Sequence, residues 1–296
     1  MKLLRIACCI LIIAALSGGC SARSSGEPGQ TASVYLQNKG SDTMVNLALA
    51  WAERYQSAHP DVTIAVTGGG SGTGLASLAN NTVDLANASR KIKAEELSQA
   101  TAAGADPQEF VVARDAIAVI VHPDNPVENL TLEQIALIYR GEISNWLQVG
   151  GEDRPIVRLS RETNSGTHVY FLEEVVRLGN SEDKSIFSPQ TLLLPSSEGI
   201  IAEVSDNPNA IGYDGLGYVT DHVKMVAVAP STGAPYVRPS AATVNDGSYP
   251  IARDLYMYTR SAPQGTLKTY LDWIFSAEAQ QIVGDLGFVP VAQETP

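Results

Sequence analysis

Apolar positions along this chain switch repeatedly between an extended and a helical spacing. Val34-Tyr35-Leu36 is a short extended run, and Met44, Leu47, Ala48, Trp51 and Tyr55 then recur at helical spacing until His59-Pro60. Val62 to Val66 alternates as a second strand, Leu75 to Leu78 opens another helix, and Val83-Asp84-Leu85-Ala86 reads as a third strand. Ala116 to Val121 (AIAVIV) is wholly apolar and predicts a buried strand, broken by His122-Pro123-Asp124-Asn125-Pro126. A second unit follows: helix Leu132 to Tyr139, strand Ile156 to Leu159, helix Val169 to Leu178 and strand Asn209 to Tyr213. Leu255 to Tyr258 is a further strand, and Leu267 to Val283 an amphipathic helix. The repeated strand-loop-helix order predicts an α/β fold with parallel strands and crossover helices. Its two units predict two lobes with a ligand cleft between them, residues 34–119 with 222–296 forming the first lobe and 120–221 the second.

Three loops at strand-to-helix junctions carry the candidate chemistry. They are Gly40-Ser41-Asp42-Thr43, Gly68-Gly69-Gly70-Ser71-Gly72-Thr73-Gly74 and Arg161-Glu162-Thr163-Asn164-Ser165-Gly166-Thr167. Each places hydroxyls and free N–H groups at a helix N-terminus, which favours an anion. In parallel sheets such loops gather beyond the carboxyl ends of the strands, where ligands bind. Arg161 adds a rigid fork for two oxyanion oxygens. Ser89-Arg90 ends the third strand at the same rim. Each loop also has a plainer reading: Ser41, Thr43 or Ser165 as helix caps, the glycines as a flexible turn, Arg161 paired with Glu162 or another acid, Arg90 on the surface. The recurrence of the pattern three times favours one shared oxyanion site.

Other chemistries fit less well. The glycine loop lacks the dinucleotide fingerprint and the lysine of a phosphate-binding loop, and Ser71 lacks the glycine two residues on of a nucleophile elbow. The four histidines, His59, His122, His168 and His222, show no metal-ligand spacing, and no cofactor motif stands out. His168 beside Thr167 reads as a first-turn helix residue rather than a base for Ser165. No enzyme is expected.

Charge narrows the picture further. The 296 residues carry a formal net charge of −12 with no basic tail, so nucleic acid is not an expected partner and anion recognition must be local. Lys2 and Arg5 precede an apolar core from Ile6 to Leu16, a signal peptide over residues 1–19 that is too short for a membrane span. Leu16-Ser17-Gly18-Gly19-Cys20 resembles a bacterial lipoprotein box, with Cys20 lipidated as the new N-terminus. Residues 20–33 then form a flexible tether, and an internal disulfide is impossible once Cys8 and Cys9 are removed.

The chain resembles the phosphate-binding solute receptors of bacterial ABC importers, of the type II periplasmic-binding-protein fold. The resemblance rests on GSDTM at 40–44, GGGSGTG at 68–74, VDLANASR at 83–90, LTLEQIALIYRGEISNW at 130–146, RETNSGTHVYF at 161–171, AIGYDGLGYV at 210–219, YPIARDLYMYT at 249–259 and GFVPV at 287–291. It implies that inorganic phosphate is held between two lobes and delivered to ABC permease subunits by a monomeric, extracytoplasmic protein lipid-anchored to the cell membrane. By position, the family's phosphate contacts fall on Thr43, the Met44 N–H, Ser71, Arg161, Ser165, Gly166 and Thr167; Ser41, Ser89 and Arg90 join them from the same rim. Well-known members carry an acid where this chain has Arg90. That acid accepts the ligand's own proton, and Asp42 and Asp214 are the residues available to replace it.

Overall fold

The computed structural model describes residues 33–291. Cys20, the expected signal peptide and residues 21–32 of the expected tether lie outside the described residues. The described residues from Val34 onward form one compact unit.

The elements run β1 (Val34–Gly40), α1 (Val45–Ala58), β2 (Val62–Thr67), α2 (Ser71–Ala79), β3 (Leu85–Ala88), α3 (Ala94–Ala102), β4 (Gln108–Val121), β5 (Asn129–Thr131), α4 (Leu132–Arg140) and β6 (Val157–Arg161). There follow α5 (Gly166–Phe171), β7 (Leu192–Leu194), α6 (Ser197–Asp206), β8 (Ala210–Gly215), β9 (Lys224–Met225), β10 (Ala227–Ala229), α7 (Ala241–Asn245), β11 (Ala252–Thr259), α8 (Gly265–Ile274) and α9 (Ala277–Asp285). The main sheet is ordered β2-β1-β3-β11-β4-β8-β6-β7, with β9 on β4. β1 is parallel to β2 and β3, as the strand-loop-helix order predicts, and β6 is parallel to β7 and β8. β11 and β4 run antiparallel to their neighbours and join the two parallel halves.

Local chemistry explains several boundaries. Thr131 Oγ1 accepts the Gln134 N–H at 3.1 Å while Gln134 Oε1 accepts the Thr131 N–H at 2.9 Å, a reciprocal box that starts α4. Gly141, at φ 87°, ends it. The single helix expected over 267–283 is two, because Ser276 Oγ caps a new start by accepting the Ala279 N–H at 3.3 Å. The helix expected from Val169 starts earlier, at Gly166, and passes after Phe171 into a wider π turn over Leu172–Val176.

Two main cores flank the shared strands. In one, Leu47, Trp51 and Tyr55 of α1 pack with Ile64, Val112, Leu255 and Tyr270. In the other, Ile135 and Tyr139 of α4 pack with Val119, Phe171, Tyr213 and Ile251, and the Phe171 and Tyr213 rings stack 3.6 Å apart. β4 serves both, pairing with β11 over Gln108–Ala116 and with β8 over Ile117–Val121. Val226, Val228, Val244, Tyr249 and Ile251 belong to the second core, and β10 pairs with β5.

Candidate anion-binding site

The three loops meet at one buried point. Gly40 ends β1 at φ 147°, and a Cβ there would lie 2.1 Å from the Asn87 carbonyl, so glycine lets β1 and β3 close together. Ser41 N–H donates to that carbonyl at 2.9 Å, which turns the Ser41 side chain toward the end of β3. There Ser41 Oγ donates to Ser89 Oγ at 2.9 Å. Ser71, the first residue of α2, places its Oγ 3.3 Å from Ser89 Oγ and accepts the Ser89 N–H at 3.1 Å. From the third loop, Thr167 Oγ1 lies 2.8 Å from Thr43 Oγ1. Ser71, Ser89 and Thr167 are wholly buried, and Ser41, Thr43, Ser165 and Gly166 are buried too. Gly166 is required by space: a Cβ would stand 2.4 Å from Ser71 Oγ and 2.6 Å from Ser89 Oγ. A hydroxyl can donate as well as accept, so this set can rotate its protons toward one anion.

Of two nearby arginines, Arg253 contacts the hydroxyls and Arg161 contacts Asp42 beside them. Arg161, at the end of β6, donates from Nη2 to Asp42 Oδ2 at 2.9 Å and to the Pro195 carbonyl at 2.8 Å, and from Nη1 to Ser197 Oγ at 2.8 Å. Its Nη1 also lies 3.8 Å from Asp214 Oδ2. Arg253, on β11, uses all five of its N–H groups. Nε and Nη2 donate to Asp115 Oδ2 at 3.2 and 2.9 Å, Nη1 to the Ser89 carbonyl at 3.1 Å and Thr167 Oγ1 at 3.0 Å, and Nη2 to Thr43 Oγ1 at 3.3 Å. With both threonine oxygens accepting from Arg253 and lying 2.8 Å apart, one hydroxyl proton bridges them and the other is left to point away. Each guanidinium faces a carboxylate, so the site attracts an anion by oriented donors rather than by net positive charge.

The acids respond to burial. Burial pushes the Asp214 carboxyl up to about 6, against the pull of Arg161 and of the Gly215 N–H and Ser197 Oγ–H. Burial also raises Asp115, with Arg253 opposing it. Burial lowers His168, whose Nδ1 is 3.0 Å from Ser160 Oγ rather than directed at Ser165, so the imidazole is not set as a base for that serine.

Several expected contacts are placed differently. Arg90 does not present its fork to the hydroxyls: it forms a two-point pair with Glu96, at 2.8 and 2.7 Å, because the acidic first turn of α3 lies directly against it. The Met44 N–H donates to the Ser41 carbonyl at 3.1 Å, closing the turn after β1, and the Met44 side chain sits in the first core. The Thr167 N–H donates to Ser165 Oγ at 3.2 Å, so Ser165 acts as a cap and Thr167 offers its hydroxyl. Arg253, Asp115 and Ser197 escaped the sequence reading because they lie outside the three loops. A signal for two of them exists: Ala113-Arg114-Asp115 and Ala252-Arg253-Asp254 are matching breaks in apolar strands, and antiparallel pairing sets Arg253 opposite Asp115 and Asp254 opposite Arg114.

Contacts across the rim tie the loops together. Asn164 Nδ2 donates to the Gly69 carbonyl at 2.9 Å, and the Asn164 carbonyl accepts the Gly72 N–H at 3.1 Å. Asp42 Oδ1 accepts the Gly69 N–H at 2.9 Å, and Tyr218 Oη donates to the Asp42 carbonyl at 2.7 Å.

The chain is similar to known proteins over most of its length. The model of the PBP superfamily domain matches residues 25–278. The phosphate-binding protein PstS of Pseudomonas aeruginosa is 34% identical over 315 aligned residues, covering 98% of this chain and 96% of that protein. PstS of Bacillus subtilis is 32% identical, covering 98% and 94%. Among solved structures, a putative phosphate ABC transporter substrate-binding protein from Clostridium perfringens, with bound phosphate, superposes with a TM-score of 0.78 at 33% identity, over 87% of this chain and 100% of that one. An ABC-type phosphate transport receptor from Vibrio cholerae gives a TM-score of 0.69 at 28% identity, over 86% and 100%. The superfamily match and the identity sustained over nearly the full length show that this chain belongs to the PBP superfamily and, within it, to the PstS family of substrate-binding proteins.

Proposed function

We propose that this protein binds inorganic phosphate in the buried cluster of hydroxyls and hands it to the permease of an ABC importer. The observation that carries the reading is the meeting of Ser41, Thr43, Ser71, Ser89 and Thr167 from separate loops at one point held by Arg253, with Arg161 bound to Asp42 of the first loop. Neutral hydroxyl donors suit a small oxyanion that must be desolvated, because they bind it without a fixed excess of positive charge. A micromolar complex needs about 8 kcal/mol. Several charge-assisted hydrogen bonds, at about 1.5–3 kcal/mol each, supply that after the cost of closing the site.

Ser41, Thr43, Ser71, Ser89, Arg161, Ser165, Gly166 and Thr167 form the proposed phosphate shell, with Arg253 added and Arg90 moved to a supporting role. The protein is a receptor, not an enzyme. Its two cores move about β4 and β11 as lobes, with 222–251 travelling with the second. Cys20 is its proposed lipid anchor, which holds a monomer on the extracytoplasmic face of the cell membrane. Among the described residues no helix is long and apolar enough to cross a membrane, which is compatible with anchoring by lipid. Calorimetry of the purified protein with phosphate, in the presence and absence of excess sulfate, tests the reading. Saturable binding that sulfate leaves unchanged supports it; absence of phosphate binding refutes it.

A further inference from the structure

Asp214 occupies an unusual position in the site. It ends β8, is fully buried, and its two oxygens differ. Oδ1 accepts the Gly215 N–H at 2.7 Å and the Ser197 hydroxyl at 3.0 Å. Oδ2 has no hydrogen-bond partner among the described residues. Ser197 has one proton and gives it to Asp214, so its lone pairs are left for Arg161 Nη1, which donates to it at 2.8 Å. Asp214 thus decides the direction of the Ser197 hydroxyl, and that hydroxyl fixes one side of the Arg161 fork. The other side is fixed by Asp42 and the Pro195 carbonyl.

We infer that Asp214 is a positioning residue for the bound anion: through Ser197 it orients Arg161, and its free Oδ2 takes up a proton when an anion is held beside that arginine. The inference rests on the phosphate reading above. A second negative charge brought to Arg161 repels a carboxylate whose Oδ2 lies 3.8 Å from the same guanidinium. Protonation relieves the repulsion and costs no contact, since Oδ1 keeps both of its donors. The charged and titratable groups that interact with Asp214 are Arg161 on β6, Arg253 on β11, Tyr218 across the cluster and Tyr213 beside it on β8, and Asp42 shares Arg161 with it. Arg253 is neutralised locally by Asp115 and Arg161 partly by Asp42, so Asp214 is the acid of the site not committed to one cation by a hydrogen bond.

The sign follows from these placements. With its carboxyl already near 6 through burial, Asp214 is mostly ionised above that pH and gains a proton on binding. Affinity through this group is therefore greatest below about pH 6 and declines as pH rises through the value set in the complex.

Phosphate calorimetry at about pH 6.5 in two buffers of different ionisation enthalpy reads the protons taken up per ligand bound. Comparison with Asp214→Asn cancels the contribution of phosphate's own titration. The wild type is expected to take up more protons than Asp214→Asn, whose side-chain oxygen still accepts from Ser197 and keeps Arg161 in place. Asp214→Ala removes that acceptor and is expected to weaken phosphate binding roughly tenfold, with Ser197→Ala weakened similarly. Equal proton uptake in wild type and Asp214→Asn, or unchanged affinity in both Asp214→Ala and Ser197→Ala, overturns the inference. If the asparagine variant does not fold, wild-type uptake no greater than free phosphate's titration accounts for overturns it equally. Failure of the wild type to bind phosphate overturns the functional reading instead, so the two outcomes are separable.

Discussion

Arg253 stands directly opposite Asp115 across the antiparallel pair of β11 and β4, and the two are joined through a single carboxylate oxygen at 2.9 and 3.2 Å. This pair sits where the two halves of the sheet join, and its remaining N–H groups hold Thr43 from one side and Thr167 from the other. A strand-borne ion pair thereby sets hydroxyls that belong to two different loops. Arg253→Lys keeps a charge but loses the fork. It is expected to weaken phosphate binding at least tenfold, by calorimetry, with the circular dichroism spectrum unchanged. Asp115→Ala leaves a buried guanidinium without its counter-charge and is expected to cost about 3–5 kcal/mol in urea unfolding.

Gly166→Ala places a methyl group against two serine hydroxyls, at 2.4 and 2.6 Å from their present positions. Both serines are wholly buried, so the methyl group overpacks the site and is expected to cost about 1–3 kcal/mol in urea unfolding. Phosphate affinity of the folded variant is expected to fall at least tenfold, a loss of about 1.4 kcal/mol or more.

Asn164 bridges the rim twice, once by its side chain to Gly69 and once by its carbonyl to Gly72. Asn164→Ala removes the first bond and keeps the second. The expected effect is on release: stopped-flow dissociation of phosphate about three- to tenfold faster, with association nearly unchanged.

Arg90 separates stability from affinity. Burial alone would raise Glu96, but the Arg90 fork and the Lys93 N–H outweigh it and hold the carboxyl below its ordinary value of 4.5. The ionised pair therefore stabilises the fold above that pH, and the contribution is lost as pH falls through the lowered folded value. Arg90→Ala is expected to reduce the thermal midpoint at neutral pH and to flatten its fall in acid. Its phosphate affinity should stay within about threefold of wild type.

Much of this was legible in the chain because loops announce themselves. Gly40, the 68–74 glycines and Ser165-Gly166-Thr167 interrupt apolar periodicity at the points where hydroxyls converge. The parallel pairing of β1 with β2 and β3 followed from strand-loop-helix order. What periodicity could not show is how an N–H is used once the chain is folded. Met44 and Thr167 spend theirs on Ser41 and Ser165, closing their own turns. Arg90 could not be assigned from its position after β3, since its partner Glu96 enters with α3, an element the apolar pattern does not mark. Arg253 and Asp115 were hidden in strands, where a charge reads as an interruption until the register pairs them.

The proposed site holds one oxyanion between these loops with Arg161 as a direct charged contact. Calorimetric titration of phosphate into wild type and Arg161→Ala is its sharpest test. One phosphate per wild-type chain at micromolar or tighter affinity is expected, with at least about a hundredfold loss in Arg161→Ala. Retention of wild-type affinity in Arg161→Ala would overturn the direct contact.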